Sequence, residues 1–275
     1  MLTRAIPSSG QRIPVVGLGT WITFNVGADQ VLRQQCFDVM RAFFEGGGAL
    51  IDSSPMYGSA QAVTGYGLKA LDASDKVFSA DKVWISAADQ GAKQIQASAQ
   101  AWGVTQFDLL QVHNLVSWQA HLETLNAMKQ AGTLRYVGIT TSEGRRHDEF
   151  ERIMRTEALD FVQFTYNLVD REAEQRLLPL ARDRGIAVIV NRPFQQGGLV
   201  RRLSRYPLPE WAVSELGVGS WAQFVLKFIV SHPDVTCVIP ATTRVEHVRE
   251  NLDSARGVMP DTAMRERMAS YVRAL

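Results

Sequence analysis

Eight short apolar runs, each followed by an amphipathic helical stretch, predict a (β/α)8 barrel of the TIM type. Three observations carry this expectation. The strand–helix units recur at intervals of roughly 20–35 residues, which suits parallel strands joined by crossover helices. The runs are hydrophobic without alternation, as strands buried on both faces must be. Finally, ionisable residues close several of the runs, where the C-terminal face of a barrel collects its chemistry.

Taken in order, the expected strands are Val15–Leu18, Ala49–Asp52, Val77–Trp84, Phe107–His113, Tyr136–Thr140, Phe161–Phe164, Ala187–Val190 and Thr236–Ile239. Helical periodicity fills roughly residues 30–45, 59–71, 90–102, 117–131, 146–157, 172–184, 219–231 and 244–255 between and after them. Ahead of the first strand, Ser8-Ser9-Gly10 separates two extended pieces of Leu2–Pro14, a β-hairpin signal for a plug at the bottom of the barrel. Residues 261–273 read as one extra C-terminal helix. Pro193–Gly219, with its three prolines, is the longest irregular stretch and an expected active-site loop. No linker or shift in composition divides the chain, so residues 1–275 are expected to form a single domain. A doubly wound nucleotide fold is the competing architecture, but Gly17-Leu18-Gly19-Thr20-Trp21-Ile22 lacks the third glycine of the dinucleotide fingerprint.

Composition narrows the function classes. With 29 basic and 28 acidic residues, no overall field recruits nucleic acid or an anionic membrane. Cys36 and Cys237 each sit in an apolar pattern and read as core residues, and no His/Cys/Asp/Glu cluster has metal-ligand spacing. No apolar run is long enough for a membrane span, and Met1–Pro7 lacks a signal peptide's apolar core. A cytoplasmic monomer or weak oligomer is expected, although a removed export leader would leave no trace.

The chemistry is expected from four residues. Asp52 ends one strand, with Tyr57 just beyond it in a Pro/Gly loop; Lys82 lies near the end of the next, and His113 ends the third. Parallel neighbouring strands would bring a carboxylate, a phenol, an ammonium and an imidazole together. A phenol near pKa 10 is a poor acid at neutral pH, and lowering it by about 3 units takes about 4 kcal/mol, within reach of a nearby buried ammonium. Asp52 then serves as counter-ion to Lys82, Tyr57 as the acid, and His113 as the group orienting a substrate oxygen. Two other readings fit the same residues: a structural Asp52–Lys82 ion pair, or Lys82 as a Schiff-base nucleophile of a lyase. Among the other histidines, His121, His147 and His232 fall in or beside helical patterns and read as surface or packing residues.

In these residues the chain resembles the aldo-keto reductase family over nearly its full length. Gly17-Leu18-Gly19-Thr20-Trp21 is similar to that family's opening strand, and Ile51-Asp52 with Tyr57-Gly58 to its Asp-x4-Tyr-Gly signature. Lys82-Val83-Trp84, Val112-His113-Asn114, Gly132–Ile139, Ile239–Arg244 and Glu250-Asn251 resemble further family segments. The resemblance implies NADPH-dependent reduction of small aldehyde or ketone substrates. It implies cofactor contacts from Thr140, Thr141, Gln163, Asn191, Arg192, Pro193, Phe194, Thr242, Thr243, Arg244, His247, Glu250 and Asn251. Within that set, Gln163 is expected to grip the nicotinamide carboxamide, Arg244 the 2′-phosphate and Asn251 the adenine. Trp21, Trp84 and Asn114 are the implied substrate-pocket residues. Independently of the family, Thr243-Arg244-Val245-Glu246 fits a capping box with Thr243 as N-cap, so that the helix start offers an anion site.

Three departures from the family pattern qualify these expectations. Thr140-Thr141 stands where Ser-Asn is usual, Asn191-Arg192 where an aromatic commonly stacks on the nicotinamide, and the Asn114–Trp118 loop is short. An open site with loose substrate selection is expected. The family's channel-associated members suggest one more reading, a cofactor-sensing protein with little turnover.

Overall fold

A computed structural model describes residues 1–275. An antiparallel hairpin of β1 (Thr3–Ala5) and β2 (Arg12–Pro14) precedes a sheet of eight parallel strands. These are β3 (Leu18–Gly19), β4 (Leu50–Asp52), β5 (Phe78–Val83), β6 (Leu109–Val112), β7 (Tyr136–Thr140), β8 (Phe161–Thr165), β9 (Ala187–Asn191) and β10 (Cys237–Val238). They neighbour one another in sequence order, and bridges from Val16 to Val238 and from Gly19 to Ala241 close the sheet into the expected barrel.

Close strand packing explains Gly17 and Gly19. A Cβ at Gly17 would stand 2.9 Å from the Leu50 carbonyl oxygen of the neighbouring β4, and one at Gly19 would stand 2.8 Å from that of Ile239 across the closing seam. Each allows the first barrel strand to approach a neighbour closely. No phosphate loop is involved.

Helices cover the barrel: α1 (Gln30–Glu45), α2 (Ala60–Leu71), α3 (Gly91–Trp102), α4 (Trp118–Gln130), α5 (His147–Thr156), α6 (Leu177–Arg184), α7 (Gly198–Leu203), α8 (Glu210–Leu216), α9 (Trp221–Val230), α10 (Val245–Asp253) and α11 (Thr262–Arg273). The expected boundaries hold to within a few residues, except in two places. The helix expected over 172–184 is a 3-10 turn, Glu172–Glu174, followed by α6. The stretch expected to be irregular, Pro193–Gly219, contains α7 and α8, the latter starting directly after Pro209, which holds the N-cap position. No single helix is long and apolar enough to cross a membrane.

Strand periodicity splits the interior into two cores. Residues facing outward pack with the helices in a cluster of 63 buried side chains. Residues facing inward form a cluster of 12, including Leu50, Phe78, Leu109, Tyr136, Phe161, Ala187 and Cys237, together with Ile6 and Ile13 of the hairpin segment. Tyr136 stacks on Phe78 and meets Phe161 edge-on. Its hydroxyl donates to Gln11 Oε1 and lies 2.7 Å from Ser9 Oγ, so the hairpin loop satisfies the one polar group in this layer. The N-terminal segment therefore seals the bottom of the barrel. At the other terminus, buried Arg265 docks α11 by donating to the Phe228 carbonyl and the Tyr166 hydroxyl and pairing with Glu174.

Because Ile6 is fully buried in the inner cluster, Ile6→Ala should cost about 2–5 kcal/mol in urea denaturation, the range for a large-to-small change in a packed core. A loss under about 1 kcal/mol would show that the plug is not part of the cooperative core.

Candidate active site

Side chains alternate along a strand, and this alternation aims the ionisable residues. Leu50 faces the barrel interior, so Asp52 does as well; Ala80 faces inward, and Lys82 follows it. Lys82 Nζ donates to Asp52 Oδ2 at 2.6 Å and to the Ser53 carbonyl at 2.7 Å. Neither side chain is more than 2% exposed. The pair is the first link of a chain of polar contacts. Gln163 Nε2 donates to Asp52 Oδ1 at 2.8 Å. Asn191 Nδ2 donates to the Thr141 carbonyl at 2.9 Å and to Gln163 Oε1 at 3.4 Å, and Thr165 Oγ1 donates to Asn191 Oδ1 at 2.7 Å. Four strands, and the residue that follows β7, are thus joined.

Tyr57 and His113 are placed by a different device. The 3-10 turn Pro55–Tyr57 is capped by Ser54, whose hydroxyl accepts from the Met56 N–H and also lies 2.8 Å from His113 Nδ1. One serine therefore positions both groups. Gly58 ends the turn at φ +63°, where any Cβ would strike the Asn25 side chain; the glycine after Tyr57 is a steric requirement. The Tyr57 and His113 rings meet edge to face at 5.7 Å, and Lys82 Nζ lies 5.2 Å from the Tyr57 ring centroid.

The electrostatics correct one expectation. Burial pushes the Tyr57 phenol up to about 12, and the Lys82 charge only partly offsets it. The expected lowering assumed a lone ammonium, whereas Asp52 neutralises Lys82 at contact distance and itself disfavours a phenolate. Burial works against the Lys82 ammonium too, but Asp52 and Tyr57 outweigh it and raise its pKa. His113 is held well below the ordinary histidine range by burial and by Lys82, so its ring is neutral at pH 7. Asp81 points the other way from Lys82, between β5 and the helices, and accepts from its neighbour's N–H and from Gln61 Nε2. Burial pushes its carboxyl up to about 7.

Above these residues opens a cavity of about 710 Å³. Its wall includes Asp52, Tyr57 and His113, and of the expected substrate-pocket residues Trp21 and Asn114. It also includes Thr140, Thr141, Gln163, Asn191, Arg192, Pro193, Phe194, Thr242, His247, Glu250 and Asn251. Lys82 lies just behind the wall, fully buried. Besides Lys82, three expected residues stand outside it. Trp84 falls one residue past the end of β5, where the pleat no longer aims it; its N–H donates to Gln94 and its ring is partly exposed. Thr243 is exposed and does not cap α10: Arg244 occupies the N-cap position, and Thr242 Oγ1 accepts from the Arg244 N–H. The Arg244 side chain is 63% exposed and pairs with Glu246 at 3.4 Å.

Sequence reasoning missed Arg145, Glu143, Arg201 and Ser220, which also line the cavity. They sit in loops or short helices without a periodic signal. The donors suit a dinucleotide: guanidinium groups of Arg145, Arg192 and Arg201, the amides of Gln163, Asn191 and Asn251, and the Ser220-capped start of α9.

Residues 15–269 match the model of the Aldo/keto reductase family. The methylglyoxal reductase YeaE of Escherichia coli (strain K12) is 30% identical over 281 aligned residues, which cover 96% of this chain and 95% of that protein. An NADH-specific methylglyoxal reductase of the same organism is 26% identical, with 91% and 93% covered. Among solved structures, a thermostable aldo-keto reductase, Tm1743, in complex with the inhibitor epalrestat superposes with a TM-score of 0.82 at 23% identity, covering 98% of this chain and 99% of that one. An aldo/keto reductase from Klebsiella pneumoniae in complex with NADP and acetate gives 0.80 at 22% identity, covering 96% and 93%.

The buried pair makes a prediction independent of activity. Asp52→Asn leaves the Lys82 ammonium without its counter-ion and should cost about 3–5 kcal/mol in urea denaturation. Adding Lys82→Met should recover most of that loss. Equal losses in the single and double variants would show that the two charges are not coupled.

Proposed function

The chain belongs to the aldo/keto reductase family, and from that premise we propose that it reduces the carbonyl group of small aldehydes or ketones with NADPH, Tyr57 supplying the proton. The observation that carries the reading is the meeting of Asp52, Tyr57, His113 and the buried Lys82 at the floor of one cavity.

When bound, the reduced nicotinamide supplies a hydride to the carbonyl carbon, leaving an electron pair on the substrate oxygen. The remaining work falls to the chain's own residues. His113 is neutral and its Nδ1 is engaged by Ser54, so Nε2 is the nitrogen left to hold the substrate oxygen. Tyr57 then gives its proton to the developing alkoxide. A phenol at about 12 remains a stronger acid than an alcohol, whose pKa is comparable to the value of about 15.7 for water. The transfer therefore runs downhill even without the expected lowering. Lys82 stabilises the phenolate that results, and Asp52 keeps Lys82 charged inside the barrel. Gln163 and Asn191, tied into the same network, present a fixed amide edge to a nicotinamide.

Lys82 chemistry of the Schiff-base kind is disfavoured by the same contacts. A nucleophilic lysine needs a neutral amine that reaches substrate, whereas this ammonium is fully buried, doubly hydrogen-bonded and stabilised in its charged form.

The preference for NADPH rests on Arg244, an exposed guanidinium at the start of α10 near the cavity-lining Thr242 and His247. An adenosine 2′-phosphate placed there would meet both this charge and the first N–H groups of the helix. Methylglyoxal is a natural first substrate to assay, given the names of two relatives, with larger aldehydes and ketones beside it.

Three measurements test these assignments. Tyr57→Phe keeps the ring and removes the proton, so steady-state NADPH oxidation should fall by about 10²–10⁴-fold while NADPH affinity holds. In the wild type, reduction should vary little between about pH 6 and 9, and alcohol oxidation should climb with pH because it needs the phenolate. Retained turnover in Tyr57→Phe would remove Tyr57 as the acid. Separately, Arg244→Ala should weaken NADPH binding by about 1.5–3 kcal/mol and leave NADH nearly unchanged. Equal loss for both cofactors would assign Arg244 to the fold or the adenine, and no loss for either would remove it from the site.

A further inference from the structure

The cavity contains a second ion pair that proton transfer does not use. Glu143, in the loop between β7 and α5, pairs with Arg192 at 2.8 Å. Arg145 pairs with the same carboxylate. Arg192 directly follows β9, so the contact joins two loops at the mouth of the barrel, and all three residues line the cavity. The Arg192 guanidinium also lies over the Trp21 ring, 6.0 Å from its centroid.

A carboxylate in the wall of a cavity that takes a dinucleotide opposes its ligand, because both are anions. Glu143 is nevertheless held there firmly: its N–H donates to Thr165 Oγ1, and its backbone sits at φ +60°, an uncommon conformation for a non-glycine residue. We propose that Glu143 is a displaceable stand-in for a phosphate oxygen, holding Arg192 in the free protein and yielding it to the cofactor's pyrophosphate when the dinucleotide binds. The proposal rests on the cofactor reading given above and extends it to a residue outside the proton-transfer group.

Three features make the exchange cheap. Glu143 keeps a partner after Arg192 leaves, because Arg145 is already bound to it. The Arg192 backbone need not move: it is pinned at φ +52°, its carbonyl accepts from Asn167 Nδ2 at 3.2 Å, and Pro193 follows. Only the side chain has to swing. The new partner is also better than the old one, since a guanidinium can take a phosphate with two parallel charge-assisted bonds. The Arg192 side chain is only 21% exposed, so little water competes for it. The free protein thus keeps a half-buried cation neutralised until its ligand arrives.

A double-mutant cycle on binding tests this, read by calorimetric titration of NADP⁺ and by NADPH fluorescence, with no turnover involved. Glu143→Gln keeps the shape and removes the competing charge. In the wild-type background it should tighten both redox forms by about threefold or more, the lower end of coupling between contacting charges. In an Arg192→Gln background the same change should have less than about half that effect, because the guanidinium that Glu143 would yield is gone. Equal tightening in both backgrounds would show that Glu143 acts only as a distant repelling charge and would overturn the exchange. Weakened or unchanged binding in Glu143→Gln would overturn it as well, by showing that the carboxylate positions Arg192 for the ligand or plays no part. If wild-type protein binds neither NADPH nor NADH, the cofactor reading itself falls and takes the proposal with it.

Discussion

The floor of the cavity in this barrel is organised around one desolvated ion pair. Lys82 and Asp52 meet at 2.6 Å with almost no solvent contact. Removing two charges from water is costly, and their attraction offsets that cost only when the remaining donors and acceptors are satisfied. Here they are: Ser53 takes a second Lys82 proton and Gln163 serves the second Asp52 oxygen. The outer contacts of Asn191, Thr141 and Thr165 extend the same chain of bonds. The network that keeps the charges inside the protein thus also fixes the strands that shape the cavity floor.

The pair sets the character of the acid as well. A lone ammonium beside Tyr57 would draw its proton toward release, but a neutralised one leaves burial in control, and the phenol stays weakly acidic. Such a group holds its proton reliably across neutral pH and gives it up only to a strong base. An alkoxide is such a base, and water is not. If Tyr57 is the acid, as proposed, the site is biased toward completing a reduction over losing its proton to solvent.

How much of this was legible in the chain follows from the geometry that carried each signal. Asp52, Lys82 and His113 were readable because strand ends are marked by the end of an apolar run, and parallel order brings those ends together. Trp84 misled by standing one residue past the last paired position of β5. Thr243 fits the capping-box spacing, but the helix starts one residue later, so Arg244 takes the N-cap position and no side chain caps the helix. The helices α7 and α8 were hidden by flanking glycines and prolines and by having at most two turns in which to show a period. Glu143, Arg145 and Arg192 belong to loops, where pairing depends on how distant segments meet and no local pattern records it. The sign of the Tyr57 shift needed the distance between Lys82 and Asp52, which sequence cannot supply.

The seam of the barrel has a consequence for the birth of the protein. Gly17 and Gly19 donate to the carbonyls of Val238 and Pro240, Val238 donates back to Val15, and Leu2 donates to Ala255. During synthesis the first barrel strand therefore leaves the ribosome with one edge unpaired, and it stays so until β10 has emerged. An open edge of this kind is a template for pairing with another chain, and contacts so distant in sequence form late. The nascent chain is consequently most prone to aggregate while seven strands are available and the eighth is still inside the exit tunnel.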